Sequence, residues 1–275
     1  MRAPSTPWLL AGVCAVPALL AALSTQTEVS TASYGSDASE SITQALGRYF
    51  DPTQDSLWGL AVGVLGMMAF GALTASSGHS DKVMIMWPTA RPRAGTLYAA
   101  KALAVSMIAA CVGLIASFGA FLYGQMAISS YGVSASLAQP GVFRAVTGGG
   151  LFLALGAILG FGLGALQHAV ASARSIWLGF AGACVSWAGL IAAPDLISAV
   201  HPGQARWLPG AAGTQIWRTK TPVPGALLAP WTGLEVFCGY AALAAVAGLI
   251  AFVGHARQRV SSDQAGLRNP ARPRM

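Results

Sequence analysis

Few side chains in this sequence could perform chemistry, and they do not form a catalytic set. The four histidines are scattered, and none has a carboxylate four residues away in an apolar run; they are His79, His168, His201 and His255. A membrane metalloprotease needs paired His and Glu at helical spacing. An intramembrane serine protease needs a serine facing a histidine, and Ser186 lies in an apolar run that has no such partner. The sequence therefore argues against an enzyme.

Metal, nucleotide and ion-coupling motifs are absent from the sequence as well. Its cysteines lie in apolar runs, at spacings that suit neither a zinc site nor a disulfide framework; they are Cys14, Cys111, Cys184 and Cys238. No P-loop motif occurs. Ion-driven transport usually needs an ionisable residue within a span, whereas Lys101 and Glu235 lie at span edges. We expect no cofactor in this chain, and any work it performs to be powered by a separate ATPase subunit.

The composition indicates which solvent surrounds the chain. Of 275 residues, 55% are hydrophobic and 9% are charged, whereas soluble domains carry about a quarter charged residues. A soluble fold of this length could not cover its surface with so few charges. Soluble enzymes, disordered chains and nucleic-acid-binding modules are therefore disfavoured, although the net charge is +7. The lipid bilayer is the expected environment.

Six apolar runs predict an all-α, six-helix integral membrane bundle, because a span needs about 20 mostly apolar residues. The first run contains Pro17 and resembles a secretory signal peptide in part, but no clean cleavage site follows, so we favour a retained helix over cleavage that would leave five. Residues 1–254 form one transmembrane domain, followed by a basic, disordered cytoplasmic tail at 255–275. The predicted helices cover residues 8–23, 57–75, 99–123, 145–166, 175–193 and 235–254.

The distribution of charge predicts the orientation. With both termini in the cytoplasm, eleven of the 16 basic residues and two of the nine acidic ones lie inside, which gives +9. Five basic and seven acidic residues lie outside, which gives −2. This satisfies the positive-inside rule, so we expect a multi-pass protein of the plasma membrane with both termini cytoplasmic.

Two longer external connections follow from this topology. In residues 25–56, Asp37 and Glu40 have capping-box spacing and precede a helical apolar pattern, which predicts a short surface helix ended by Asp51-Pro52. Residues 194–232 hold six of the 15 prolines, which predicts a structured cap or a re-entrant turn. This second connection also contains three tryptophans suited to the headgroup layer: Trp207, Trp217 and Trp231.

The cytoplasmic segment between the second and third spans is the most distinctive connection. Its apolar patch, Val83–Trp87, lies between the pair Asp81-Lys82 and a basic stretch with Arg91 and Arg93. Such a patch can dock into a groove of a partner or lie in the membrane surface. A lipid-facing loop with snorkelling cations is the plainer alternative.

Small residues indicate where helices approach closely. Gly156, Gly160 and Gly164 recur at four-residue intervals in the fourth span, and Gly59 and Gly63 repeat the spacing at the second. Without a hydrophobic drive between helices in lipid, such stripes allow close packing. The contacts predicted here lie within or between subunits.

Several stretches, taken in order, resemble one known family. They are FDPTQDSLWGLAVGVLG (50–66), PRAGTLYAAK (92–101), ASFGAFLYGQ (116–125), SASLAQPGVFRAV (134–146), LGFGLGAL (159–166) and WLPGAAG (207–213). The sequence is similar to the six-helix permease subunits of type-2 ATP-binding-cassette (ABC) exporters, in their actinobacterial form. This resemblance implies a translocation pathway, for a lipophilic or amphipathic substrate, formed with a second permease protomer in a homo- or heterodimer. A separate ABC ATPase subunit would bind ATP and drive export.

The resemblance also implies a coupling segment seated on the ATPase. The residues it would comprise are Ser77, Asp81, Lys82, Val83, Met84, Met86, Trp87, Arg91, Arg93 and Lys101. The family usually carries an acidic residue, Gly-Thr and a basic residue in a stretch like EYxxGTIR, whereas SGHSDKVM stands here. A diverged protomer with a typical partner, a matched diverged ATPase and a degenerate permease that has lost transport remain open. A non-transporting membrane partner, an immunity protein or a sensor is the alternative from another class.

Overall fold

A computed structural model of the chain describes residues 50–76, 94–129, 134–170, 202–220 and 228–268. Within these ranges 86% of the residues are helical and none is in a strand, so the predicted all-α class is confirmed. The described helices are α1 (Pro52–Leu57), α2 (Leu60–Ser76), α3 (Ala94–Ile128), α4 (Val142–Val170), α5 (Pro202–Ala205), α6 (Pro209–Gly213) and α7 (Pro230–Arg268), with a 3-10 helix at Thr214–Trp217.

Four helical stretches are long and apolar enough to cross a membrane. They are Pro52–Ala75, which joins α1 and α2, and Ala94–Ile128, Val142–Gln167 and Pro230–His255. The chain is therefore a membrane protein, as its composition predicted. The predicted spans at 8–23 and 175–193, and the predicted surface helix before Asp51, lie outside the described residues.

Two helices extend well beyond their predicted bounds. Helix α3 has 35 residues and is about 52 Å long at 1.5 Å per residue, so Lys101 lies two turns inside it and not near its first residue. Helix α7 does not end at residue 254 but continues to Arg268. It therefore includes part of the segment 255–275, for which the sequence analysis predicted a disordered tail. Hydropathy detects only the apolar part of a helix, whereas polar helix formers such as Arg and Gln continue it into water.

Helix α4 occupies the centre of the described bundle and packs against α2, α3 and α7. Its contacts fix the direction of each neighbour. Helices α2 and α7 run parallel to α4. Helix α3 runs antiparallel to them, because its last turns contact α1 and its first turns contact Ala245 and Phe252 of α7.

The bundle thus has two ends, named here for one residue at each. The Asp51 end contains α1, the start of α4 and the short helices of residues 202–217. The Tyr98 end contains Ser76, the start of α3 and the end of α4. The residues on either side of the predicted span 175–193, Val170 and Pro202, lie at opposite ends.

Candidate functional site

Most of the predicted coupling segment lies outside the described residues. This holds for Ser77, Asp81, Lys82, Val83, Met84, Met86, Trp87, Arg91 and Arg93. The structure does describe the two helices that flank the segment: α2 ends at Ser76 and α3 begins at Ala94, both at the Tyr98 end. Lys101 is partly buried on α3. The helices to which the segment connects, α2 and α3, therefore define the candidate site at the Tyr98 end.

Tyr98 joins three helices close to the start of α3. Its hydroxyl donates a 2.7 Å hydrogen bond to the carbonyl oxygen of Ala245 in α7, and the side chain is 5% exposed. Its ring lies 4.9 Å from the ring of Phe161 in α4 and 5.6 Å from that of Phe252 in α7. Gly248 makes room for the hydroxyl, since a Cβ there would lie 2.8 Å from it. A displacement of the start of α3 would thus act directly on α4 and α7.

The glycine stripe of α4 faces α2 within the same chain. A Cβ at Gly160 would lie 2.5 Å from the Cα atom of Met68, and one at Gly164 would lie 2.6 Å from the Cα atom of Ala72. Gly156 faces the Val64 side chain. The approach is reciprocal, because a Cβ at Gly71 of α2 would meet the α4 backbone, 2.7 Å from the Phe161 nitrogen. Gly59 and Gly63 are buried just before and within α2.

Further glycines of α4 bring its other neighbours close, and sequence spacing did not single them out. A Cβ at Gly150 would lie 2.9 Å from the Cα atom of Leu114 in α3, and one at Gly162 would lie 2.6 Å from the Ala245 nitrogen in α7. Because these glycines lie on different faces of α4, the backbone of this helix can contact the backbones of three neighbouring helices.

A buried carboxylate organises the Asp51 end. Asp51 is 4% exposed and caps α1, where it accepts hydrogen bonds from the backbone nitrogens of Thr53 and Gln54. The same carboxylate accepts bonds from Thr219, through its nitrogen at 2.6 Å and its hydroxyl at 2.7 Å, and from the Lys220 nitrogen at 3.0 Å. We call Asp51, Thr219 and Lys220 the clasp, because they tie the start of α1 to a loop 168 residues later.

Gln125 extends this polar network to α3. Its amide nitrogen donates to the Pro52 carbonyl oxygen at 3.0 Å and to the Ser56 hydroxyl at 2.8 Å. Its amide oxygen accepts from the Ala135 nitrogen. The side chain is 8% exposed, so all of these groups satisfy one another away from water, as buried polar groups must.

In the predicted second external connection, the described residues 202–220 form short turns packed on the bundle. Trp217 is 2% exposed and meets the Phe152 ring edge-on at 5.1 Å. The prediction that it lies in the headgroup layer is therefore wrong: the turn points it into the protein. Trp207 and Trp231 are 44% and 52% exposed, as side chains in contact with headgroups would be.

Asp51 also shows a role that the sequence analysis missed. The sequence analysis assigns the Asp-Pro pair only to the end of a surface helix that lies outside the described residues; Asp51 is extended and begins α1, with Pro52 in the first turn. Asp followed by Pro is also a helix-start signal, so the sequence did carry the alternative. Among the described residues, no three His, Cys, Asp or Glu side chains are grouped to hold a metal ion.

Comparison with protein-family models, with curated proteins and with solved structures finds no match to this chain.

Proposed function

We propose that this membrane protein is the permease subunit of an ABC exporter, driven by a separate ATPase subunit. In this proposal the Tyr98 end faces the cytoplasm, and residues 77–93 are the segment that the ATPase moves. The translocated molecule is lipophilic or amphipathic, since the described spans present apolar side chains along their length. A second permease protomer, identical or related, completes the pathway.

The Tyr98 junction is the observation that carries the proposal. The segment between Ser76 and Ala94 connects α2 to α3, and Tyr98 follows only four residues after α3 begins. From there one side chain bonds α7 and packs on α4. A displacement of the segment would therefore be transmitted to α2, which is directly connected to it, and to α7 through Tyr98.

The close helix packing supports transmission as rigid bodies. Helices α2, α4 and α7 approach at backbone distance through glycines, so little side-chain flexibility separates them. Helix α3 also meets the α4 backbone, at Leu114, so closure of the ATPase pair on ATP would shift all four helices together. The pathway would then open toward the Asp51 end.

The exposed faces of α3 and α7 fit a protein that contacts lipid and a second protomer. Met107, Ile115 and Met126 of α3 are 63–73% exposed, and Leu243 and Ile250 of α7 are 70% and 69% exposed. Apolar faces of this kind require lipid or protein to cover them.

Affinity purification in detergent tests the proposal. The tagged chain should bring down an ATPase with a P-loop whose hydrolysis responds to the permease, and deletion of Met84–Trp87 should abolish that association. The point variant Trp87→Ala tests the same contact without shortening the chain, with Trp58→Ala as the matched control, because Trp58 is 50% exposed at the opposite end.

Three outcomes are decisive. Loss of the ATPase with Trp87→Ala but not with Trp58→Ala supports coupling through the segment. Undiminished co-purification of the deletion variant refutes the coupling role of this segment. If no ATPase accompanies the intact chain, and no neighbouring reading frame encodes one, the non-transporting alternatives gain support.

A further inference from the structure

The Asp51 end gathers three cations beside a single buried carboxylate. The Arg144 Nη2 atom donates a 2.6 Å hydrogen bond to the Arg218 carbonyl oxygen, and the Lys220 Nζ atom donates one of 2.7 Å to the Phe50 carbonyl oxygen. Arg218 and Lys220 flank Thr219, and Asp51 acts electrostatically on the guanidinium groups of Arg144 and Arg218. Two sequence-distant segments, one at Arg144 and one at Arg218–Lys220, thus bring three cations to the surroundings of Asp51.

Asp51 does not neutralise this cluster. The Asp51 carboxylate accepts five hydrogen bonds from backbone nitrogens and the Thr219 hydroxyl, and a carboxylate offers about four lone-pair sites. In the part of the chain that the structure describes, Arg144 donates to a neutral carbonyl oxygen, and the Arg218 Nε atom meets no acceptor. Three cations against Asp51 leave a charge of +2, and +1 remains even if Asp55 of the next helical turn is included.

Both guanidinium groups are also partly desolvated. The Nε atoms of Arg144 and Arg218 are buried and meet no hydrogen-bond acceptor among the described residues. Burial lowers the pKa of Arg218, and the charge of Asp51 only opposes this effect. A partly buried, uncompensated cation is unfavourable, and an anion placed on the exposed side of the cluster would offset that cost.

We propose that Arg144, Arg218 and Lys220 form a binding site for a phosphate group at the Asp51 end. Guanidinium groups bind phosphate oxygens through paired hydrogen bonds, and a lysine adds a point charge. Arg144 lies in the first turn of α4, where the backbone also favours an anion. Gly141, with a φ of 85°, lets the chain pass close to that side chain, since a Cβ there would lie 3.4 Å from Nη2.

The phosphate could belong to a lipid headgroup or to a soluble molecule, because the cluster lies where the apolar spans end. The test uses the full chain purified in detergent and in lipid nanodiscs. One arm titrates inorganic phosphate against chloride at equal ionic strength and follows thermal unfolding. The other arm measures retention of phosphatidylglycerol relative to diacylglycerol, a lipid without a phosphate group, by native mass spectrometry.

The variants are Arg144→Gln, Arg218→Gln and Lys220→Gln, and the control is Arg206→Gln, an arginine at the same end that lies over the Trp207 ring at 5.7 Å. Each cluster variant should weaken binding about tenfold, since one charge-assisted hydrogen bond is lost, whereas Arg206→Gln should not. Lys220 is exposed, so its variant serves if either arginine variant fails to fold.

Stabilisation by phosphate without selective lipid retention assigns a soluble ligand. Selective lipid retention without stabilisation by phosphate assigns a headgroup. Either result, or the two together, supports the site. Equal behaviour of phosphate and chloride together with equal retention of the two lipids overturns it. An effect of Arg206→Gln as large as that of the cluster variants also overturns it, because the response would then be to overall charge.

Discussion

Replacement of Gly160 by alanine tests the packing of α2 on α4. The new Cβ would lie 2.5 Å from the Cα atom of Met68, whereas carbon atoms in contact prefer about 3.5–4.0 Å. Helix α2 would therefore have to move away by about 1 Å. A gap of that size forfeits about a quarter to a half of the dispersion energy between the surfaces that separate.

The expected magnitude follows from two opposing terms. Overpacking in a close-packed interior costs about 1–3 kcal/mol, and a clash with rigid backbone belongs at the upper end. Alanine in place of glycine returns about 1 kcal/mol through helix propensity. We expect the free energy of unfolding of Gly160→Ala to fall by about 2 kcal/mol, measured by titration with sodium dodecyl sulfate in mixed micelles and followed by circular dichroism.

Gly119→Ala is the matched control, because Gly119 lies in α3 and a Cβ there meets no atom within 4 Å. This variant makes the same chemical change without the clash, so its free energy of unfolding should stay unchanged or rise by up to about 1 kcal/mol. Equal stability of the two variants would refute backbone contact between α2 and α4.

Three further predictions concern other parts of the bundle. Tyr98→Phe keeps the ring packing and removes the hydrogen bond to Ala245, so the free energy of unfolding should fall by about 1 kcal/mol in the same titration; no change would contradict the bond. Asp51→Asn places an amide NH₂ group opposite the donors of the clasp, so the free energy of unfolding should fall by about 2–3 kcal/mol. The thermal unfolding midpoint should be lower, and an unaltered midpoint would count against the clasp. Cys111 and Cys238 are exposed on spans, where surrounding lipid would exclude a charged reagent. In a background lacking the other two cysteines, a charged maleimide should label them slowly in membranes and rapidly after denaturation; rapid labelling in membranes would show that water, not lipid, reaches that face.

The sequence predicted the four described spans because hydropathy responds to a long apolar run wherever it lies in a bundle. The sequence could not predict how each helix is rotated about its own axis, that is, which of its faces meets the neighbouring helices. Helices α2, α3 and α4 are apolar all round, since lipid and protein interior favour the same side chains. Gly156, Gly160 and Gly164 were an exception, because the absence of a side chain marks a face that apolar composition does not.

The polar contacts at the two ends were harder to foresee for a different reason. Tyr98 bonds a backbone carbonyl 147 residues away, and Asp51 bonds a loop 168 residues away. Backbone partners leave no residue type to recognise, so spacing in the sequence cannot reveal such pairs. Trp217 shows the same limit, since one 3-10 turn decides whether an aromatic side chain faces headgroups or the core.

The shared direction of α2, α4 and α7 has an electrostatic consequence. Each helix carries a macrodipole equivalent to about half an elementary charge at either end. Three N-termini gather at the Asp51 end against the single C-terminus of α3, so the described helices together place about one unbalanced positive charge there. Two return spans, as the sequence predicts at 8–23 and 175–193, would run with α3 and cancel it. Antiparallel pairing of all six would thus remove a dipole that a low-dielectric membrane screens poorly.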